Sequence, residues 1–347
     1  MCSTVIFGTT SNRYLAENYD YPLDHGLVGV NLRETTKENG RQPGETAIRW
    51  SVKYGSVTFN SFSLELPVSG MNEAGLAVAL MWHDEGDFGN EPGFSRLSPL
   101  QWIQYQLDNY KNIEEVLEGL KTVRARNEGI PLHYSLLDAK GNCLLIEFVD
   151  GEIRLEKNPK FPILTNSTYQ LCLTEAKRSF GSLEMPKNSS IARFCHLYDQ
   201  YAVQNHAEVK PVDGFNFLDS VSQTPGAMQS FPWNKGNENN TITVWSIVFC
   251  PREREILFKT NQKKTIKKVK LGDISFEKKS QYLAMEINEE VLGPVTQSLK
   301  PYSKDSNRYI VQQSSLLIPL SKSDQDNLVE TIDSLYDKRD KRDMRVE

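Results

Sequence analysis

The sequence predicts an α+β fold, with antiparallel sheets and helices set apart in blocks. Three observations carry this. Short β-branched runs come in pairs joined by tight turns, as in "STVIFGTTSNRYLAENYDY". Helical periodicity is confined to a few stretches, such as "SPLQWIQYQLDNYK". Strands and helices also do not alternate one by one, as a doubly wound parallel sheet would require. With 347 residues, 39% of them hydrophobic and 24% charged, the chain has an ordinary globular composition and can bury a large core.

Taken in order, residues 3–8 alternate as a strand, "TTSN" turns, and "RYLAENYDY" returns beside it. "GSVTFNSFSLELP" and "GLAVALMW" read as two further strands joined through "VSGMNEA". Ser98 followed by Pro99 starts a helix, and Asn112 with Glu115 forms a capping box for a second, with Val116, Leu117 and Leu120 on its buried stripe. "DAKGN" turns a hairpin within residues 133–157. "NSSIARFCHLYDQYAV" is helical through Ile191, Phe194 and Leu197, and "TITVWSIVFCPREREILFKT" is a hairpin turning at Pro251 to Glu253. No internal repeat or linker interrupts residues 1–322, so they are expected to form one domain. Residues 323–347 form a terminal amphipathic helix through Leu328, Ile332 and Leu335 that ends in a fraying charged tail.

Composition closes several functional classes. The formal net charge of -5 gives no general reason to expect nucleic acid or an anionic membrane as partner. The lysine-rich stretch 259–270 reads as an edge strand kept soluble by its charges. No run of about 18 apolar residues occurs, so no membrane span is expected. The first residues lack the basic and apolar regions of a signal peptide, which points to the cytoplasm, a periplasmic chain with its leader already removed being the alternative. The five cysteines are widely spaced, and Cys143 and Cys250 sit in apolar runs expected to be core. The five histidines do not cluster at ligand spacing. "WHDEGD" around His83 lacks a second histidine and reads as a charged loop, so no metal is expected. There is no G-x-S-x-G elbow, P-loop, strand-following G-x-G-x-x-G or H-E-x-x-H, and the single S-x-x-K match, "SFEK", is a chance tetrapeptide.

Cys2 is the residue that asks for chemistry. Methionine is readily trimmed before a small residue, and trimming would leave Cys2 carrying both a thiol and the chain's α-amine. That amine, with an ordinary pKa of about 7.7–8.0, could serve the thiol as its base. Such a nucleophile needs a group to hold its amine and donors for the developing oxyanion. Asp20 returns near residue 2 on the second strand, and Asn166 in "LTNS" follows a strand end. Both residue types also serve as plain turn formers at strand ends.

Several segments in the right order then carry a resemblance. "MCSTVIFG", "AENYDYP", "SGMNEAGLAVALMW", "LTNSTY", "PKNSSIARF" and the closing hairpin together resemble the choloylglycine hydrolase and penicillin V acylase family of N-terminal nucleophile hydrolases. The resemblance implies an αββα four-layer sandwich of two antiparallel sheets between helical layers. It implies hydrolysis of a linear, non-peptide amide C–N bond through a Cys2 acyl-enzyme, with a small-molecule N-acyl amide as partner and no cofactor. On it Asp20 contacts the nucleophile's amine, and Asn166 with the backbone N–H of residue 82 forms the oxyanion hole. Arg193 is the family's second active-site arginine, and a homotetramer is the common assembly.

Two departures follow from the same comparison. Glu17 stands where the family has an arginine, and a carboxylate there would raise the thiol pKa by like-charge repulsion. Trp82 stands where bile-salt-cleaving members carry asparagine, and resembles the aromatic residue of the Gram-negative penicillin V acylase branch. With Tyr21 it would wall an acyl pocket, a plain strand-end core residue being the alternative for Trp82. Penicillin V-like or acyl-homoserine-lactone-like substrates are therefore expected. A conjugated bile salt hydrolase and a catalytically silent binding member, the latter motivated by Glu17, are the alternatives.

Overall fold

In a computed structural model, alternating β-branched and aromatic residues build the first hairpin, β1 (Ser3–Thr9) and β2 (Asn12–Tyr21), with Thr9 opposite Asn12 across the expected turn. The structure describes residues 2–39, 48–83, 85–90, 92–127, 131–182, 186, 189–224, 228–230, 238–291, 294–317 and 320–343, with backbone alone at 228–230, 238–240 and 336–343.

The chain next lays down β3 (Leu27–Asn31), β4 (Ser56–Asn60), β5 (Ser69–Asn72) and β6 (Ala77–Trp82) as neighbours in a second sheet. After two helices it adds β7 (Leu132–Leu137), β8 (Cys143–Val149) and β9 (Glu152–Lys157). The hairpin turns demand positive φ: Gly141 sits at 82° in "DAKGN", and Asp150 and Gly151 at 55° and 76° between β8 and β9.

The short β10 (Ile163–Leu164) crosses back beside β1. Then β11 (Ile242–Cys250), β12 (Glu255–Thr260) and β13 (Lys267–Lys270) complete a first sheet ordered β10-β1-β2-β11-β12-β13. With β14 (Leu283–Glu286) and β15 (Lys300–Pro301), the second sheet reads β9-β8-β7-β6-β5-β4-β3-β14-β15. Neighbouring strands within both sheets run antiparallel.

The helices are α1 (Pro99–Asn109), α2 (Ile113–Gly119), α3 (Tyr169–Ser179), α4 (Ser189–Val203), α5 (Gly214–Ser220), α6 (Lys304–Ser314) and α7 (Lys322–Asp343). α1 lies on the second sheet, where Tyr134 donates its hydroxyl to the Pro99 carbonyl at 3.1 Å and Asn72 donates to the Leu107 carbonyl at 2.8 Å. α4 and α5 lie on the first, where Asn18 donates to the Leu218 carbonyl at 2.8 Å. Between the sheets Thr4 and Ser135 share a hydrogen bond of 2.7 Å, and Phe59 meets the rings of Phe249 and Phe258 at 6.2 and 5.3 Å. This is the expected αββα sandwich, its main core lying between the two sheets.

The helix starts at Ser98 and Asn112 hold: Ser98 accepts the Gln101 N–H at 3.3 Å and Asn112 the Glu115 N–H at 3.0 Å. Glu115, however, reaches back to the Lys111 N–H, one residue before the cap. Other expectations need correction. "VSGMNEA" is not a mere connection, because Ser69–Asn72 forms β5, wholly buried. The strand in "GSVTFNSFSLELP" stops at Asn60, and Glu65 turns with φ of 67°. Helices α3, α5 and α6 had no expectation attached.

At the other end, α7 runs through Asp343 and so carries the charged stretch as helix, while residues 344–347 of the expected tail lie outside the described residues. Its Ile332 packs with Leu27, Leu64 and Ile310 in a small separate cluster. The lysine-rich strand β13 does form a sheet edge, although Lys267 is buried and donates to the Ile287 carbonyl at 2.7 Å. Cys143 and Cys250 are core, as expected. Among the described residues no helix is long and apolar enough to cross a membrane.

Candidate active site

Register places Cys2. Thr4 pairs with Leu164, so two residues further along the antiparallel ladder Asn166 comes opposite Cys2. On its other flank Ser3 pairs with Asn18, which sets Cys2 opposite Tyr19 and one residue from Asp20. The Cys2 thiol lies 3.9 Å from the Asp20 carbonyl oxygen. The Asp20 carboxylate accepts the Thr243 hydroxyl at 2.6 Å, at a point where the β2–β11 register shifts between Thr243 and Trp245. Such an irregularity re-aims a side chain off the regular pleat.

Asn166 and Arg193 close the constellation. Asn166 donates its side-chain N–H to the Trp82 carbonyl at 2.8 Å and its backbone N–H to the Ser190 hydroxyl at 2.9 Å. Arg193, on α4 and only 6% exposed, spreads its guanidinium over three partners. It donates to the Cys2 carbonyl at 2.6 Å, the Ser3 hydroxyl at 2.5 Å and the Asn166 carboxamide oxygen at 2.7 Å. A planar fork suits this bridge in a way a lysine would not. In a strand, N–H and C=O of one residue point the same way, so the Trp82 N–H faces the side from which Asn166 approaches.

The expected site residues thus fall into two groups. Cys2, Asp20, Asn166 and Arg193 are brought together, and the backbone of Trp82 joins them. Tyr21 instead stacks on Tyr19 at 5.7 Å and meets Phe62 edge-on at 5.5 Å, in an aromatic cluster that continues to Trp245. Sequence reasoning missed Thr243, Ser190 and Ser3. Only Ser3, adjacent to Cys2 in the chain, carried any local signal.

His83 also needs correction. It is not in a charged loop but fully buried, 4.6 Å ring to ring from His133 and 3.6 Å from the Glu147 carboxylate. A solvent-open concavity lined by Arg33, Glu73, Arg254, Asp273 and Phe276 lies at the hairpin-turn ends of β5–β6 and β11–β12, the far ends of those strands from this constellation.

The sequence model of the linear amide C–N hydrolases, choloylglycine hydrolase family, matches residues 2–284. The chain belongs to this family. A penicillin V acylase of Pectobacterium atrosepticum is 30% identical over 143 residues, 36% of this chain and 37% of that protein, so the match spans little more than a third of the relative's length. An uncharacterized protein, A284L, of Paramecium bursaria Chlorella virus 1 is 24% identical over 58% of this chain and 83% of its own. In fold, the hydrolase is similar to a penicillin V acylase from Agrobacterium tumefaciens, with a TM-score of 0.72, 22% identity and coverage of 87% and 98% of the two chains. It is similar also to a variant of a conjugated bile acid hydrolase from Clostridium perfringens, with a TM-score of 0.68, 15% identity and coverage of 87% and 97%.

The electrostatics of this amide hydrolase turn on burial. Burial pushes the Cys2 thiol up to about 11; the amino-terminal charge pulls it down, while Asp20 and, least of all, Glu17 push it further up. Asp20 is likewise raised by burial, with the amino terminus and Arg193 opposing. Glu17 lies opposite Thr4, whose hydroxyl meets Ser135 of the other sheet, so Glu17 points into the gap between the sheets.

There burial raises its carboxyl from 4.5 to about 8, with Asp20 adding to the rise. The Ser69 hydroxyl opposes this, though neither Glu17 oxygen finds a hydrogen bond of proper geometry. The neutral acid is therefore the favoured form of Glu17 at pH 7, and the charge repulsion expected from the sequence is the smallest of the causes acting on the thiol. The folded chain keeps this proton longer than the unfolded chain does. Stability from the site is thus full below about pH 4.5 and drains as pH rises toward about 8. Glu17→Gln, which mimics the neutral acid, is expected to match the parent's Tm near pH 5 and to exceed it above pH 8. The gain should be a few degrees, roughly 1–3 kcal/mol. Identical melting at both pH values would contradict a neutral, buried Glu17.

Proposed function

We propose that this hydrolase cleaves N-acyl amides of penicillin V-like or acyl-homoserine-lactone-like type through Cys2 as an N-terminal nucleophile. The convergence of Cys2, Asp20, Asn166 and Arg193 on one strand end is the observation that carries the reading. With Met1 removed, the α-amine of Cys2 takes the thiol proton as Sγ attacks the amide carbonyl. In the chain that keeps Met1, burial holds the thiol near 11, so it is not a standing thiolate, and an intraresidue base is the economical way to activate it.

The tetrahedral oxyanion then lies against Asn166 Nδ2 and the Trp82 N–H. The ammonium returns its proton to the leaving amine as the C–N bond breaks, which leaves an S-acyl Cys2. Water, deprotonated by the same amine, attacks that thioester and frees the acid and the thiol. Asp20 orients the amine, and Arg193 fixes the Cys2 carbonyl and Asn166 in one geometry. The aromatic side chain of Trp82 favours an aryl or alkyl acyl group over a steroid.

The test is amine release from penicillin V, an N-acyl homoserine lactone and a glycine-conjugated bile acid. All three are assayed on one batch shown by intact mass to begin at Cys2. Turnover of either of the first two, absent in Cys2→Ala, is expected. Turnover of the bile acid alone would overturn the substrate assignment, and turnover of none of the three would overturn this reading of the site's substrates.

A further inference from the structure

Three adjacent strands of the second sheet each contribute one side chain to a dry cluster just behind Asn166. His83 follows the end of β6, His133 lies on β7, and Glu147 lies on β8, opposite His133 one step beyond the Tyr134–Ile146 pair. Both histidines are 0% exposed and the glutamate 3%.

The hydrogen bonds fix the tautomer of His133. Its Nε2 lies 2.5 Å from the Thr165 carbonyl, a pure acceptor, so Nε2 carries the hydrogen. In neutral His133, Nδ1 is then a lone pair, and it faces Glu147 Oε1 at 3.3 Å. Two acceptors would confront each other there with nothing between them. His83 aims its Nε2 at the same oxygen from 3.6 Å, and that nitrogen has no hydrogen-bond partner among the described residues. A proton placed between His133 and Glu147 would satisfy that pair but leave His83 Nε2 with only a long, 3.6 Å approach to the same oxygen, a poor substitute for a full hydrogen bond in a buried site.

One cation answers all three atoms. In a tetrahedral site with metal–ligand bonds of about 2.0–2.1 Å, neighbouring ligand atoms lie roughly 3.3–3.4 Å apart. Here the two distances to Oε1 are 3.3 and 3.6 Å, and all three ligand atoms lie within 4.8 Å of one another. An octahedral site would draw the ligands closer, to about 3.0 Å. The outer contacts also suit a metal. His133 gives its other N–H to a backbone carbonyl, and Glu147 Oε1 accepts the Tyr169 N–H at 2.8 Å.

We propose that His83, His133 and Glu147 form a buried tetrahedral site for a zinc-like divalent cation that fastens three strands and, through His133 and Thr165, holds Asn166 in place. Two imidazoles and one carboxylate suit zinc among the first-row ions and leave one tetrahedral position open. None of the three ligands belongs to the Cys2 constellation, so the role inferred is positioning.

The experiment needs no substrate. Wild-type and Cys2→Ala full chains are analysed for metal after gel filtration, and chelated wild type is then titrated with Zn²⁺ and, separately, Co²⁺. The expected result is about one zinc per chain in both proteins, a rise in Tm on adding Zn²⁺ to the chelated chain, and intense tetrahedral visible bands with Co²⁺. His83→Gln and Glu147→Gln, measured separately, are each expected to lose the metal. Failure of chelated wild type to take up either ion would overturn the site and leave a hydrogen-bonded cluster. Full zinc content in His83→Gln would place the metal elsewhere, and zinc lost in Cys2→Ala would assign it to the thiol. Because every readout is metal content, spectrum or melting, a failed turnover assay leaves this result independent.

Discussion

Cys2→Ala is expected to bring hydrolysis down to the level of the uncatalysed reaction, a loss of roughly 10⁴-fold or more in kcat. The substitution removes the attacking atom while leaving the α-amine, Asn166 and the Arg193 bridge to the residue 2 carbonyl in place. Melting should therefore move little, which separates loss of chemistry from loss of fold. A companion form that keeps Met1 should be as inactive as the alanine variant. Its thiol is intact, but the α-amine that would serve as its base is then tied up in a peptide bond. Burial holds that thiol near 11, so the Met1-bearing chain should also resist alkylation at pH 7. Full turnover in protein whose intact mass includes Met1 would sink the intraresidue-base mechanism, whatever the substrate.

Asn166→Ala is expected to cost about 10²–10³-fold in kcat with KM changed far less, the signature of a donor used mainly in the transition state. Part of that loss comes through Arg193, whose Nη2 would surrender its 2.7 Å contact with the carboxamide oxygen. The double variant Asn166→Ala/Arg193→Lys should therefore lose less than the two single losses multiplied together. A KM effect equal to the kcat effect would make Asn166 a ground-state binder instead, and an unchanged kcat would remove it from the oxyanion hole.

The convergence of Cys2, Asp20, Asn166 and Arg193 was legible because these residues sit in short segments with distinctive neighbours and because strand register is arithmetic. A hairpin turning at residues 9–12 must return Asp20 to Cys2, and the Thr4–Leu164 pair must carry Asn166 there too. What stayed hidden depends on contacts between distant residues. His83 looked like surface because charged residues surround it in sequence, whereas its partners, His133 and Glu147, arrive from two other strands. Thr243 supports Asp20 across 223 residues of chain. β5 was obscured by composition: Ser69, Gly70 and Asn72 read as turn residues, yet a side chain at 70 would sit 2.8 Å from the Val57 carbonyl, so close sheet and helix packing demands glycine. α3 buries Tyr169, Cys172 and Ala176, two of them small, which blurs the apolar period.

The position of β2 between β1 and β11 bears on maturation. Cys2 itself is only 3% exposed in the finished fold, so it is reached far more readily before the chain has closed. β2 gains its second neighbour only after a stretch of more than 200 residues has been made, as the Asp20–Thr243 contact records. At about 5–20 residues per second, synthesis of that stretch lasts roughly 11–45 s. For that interval the first hairpin is an incomplete sheet and its amino end stays within reach. On the proposed mechanism, removal of Met1 would thus compete with translation rather than with the folded state. Chains that lose the competition would be sealed as stable, correctly folded and permanently inert molecules, which purify together with the active ones and lower the specific activity in proportion to their number.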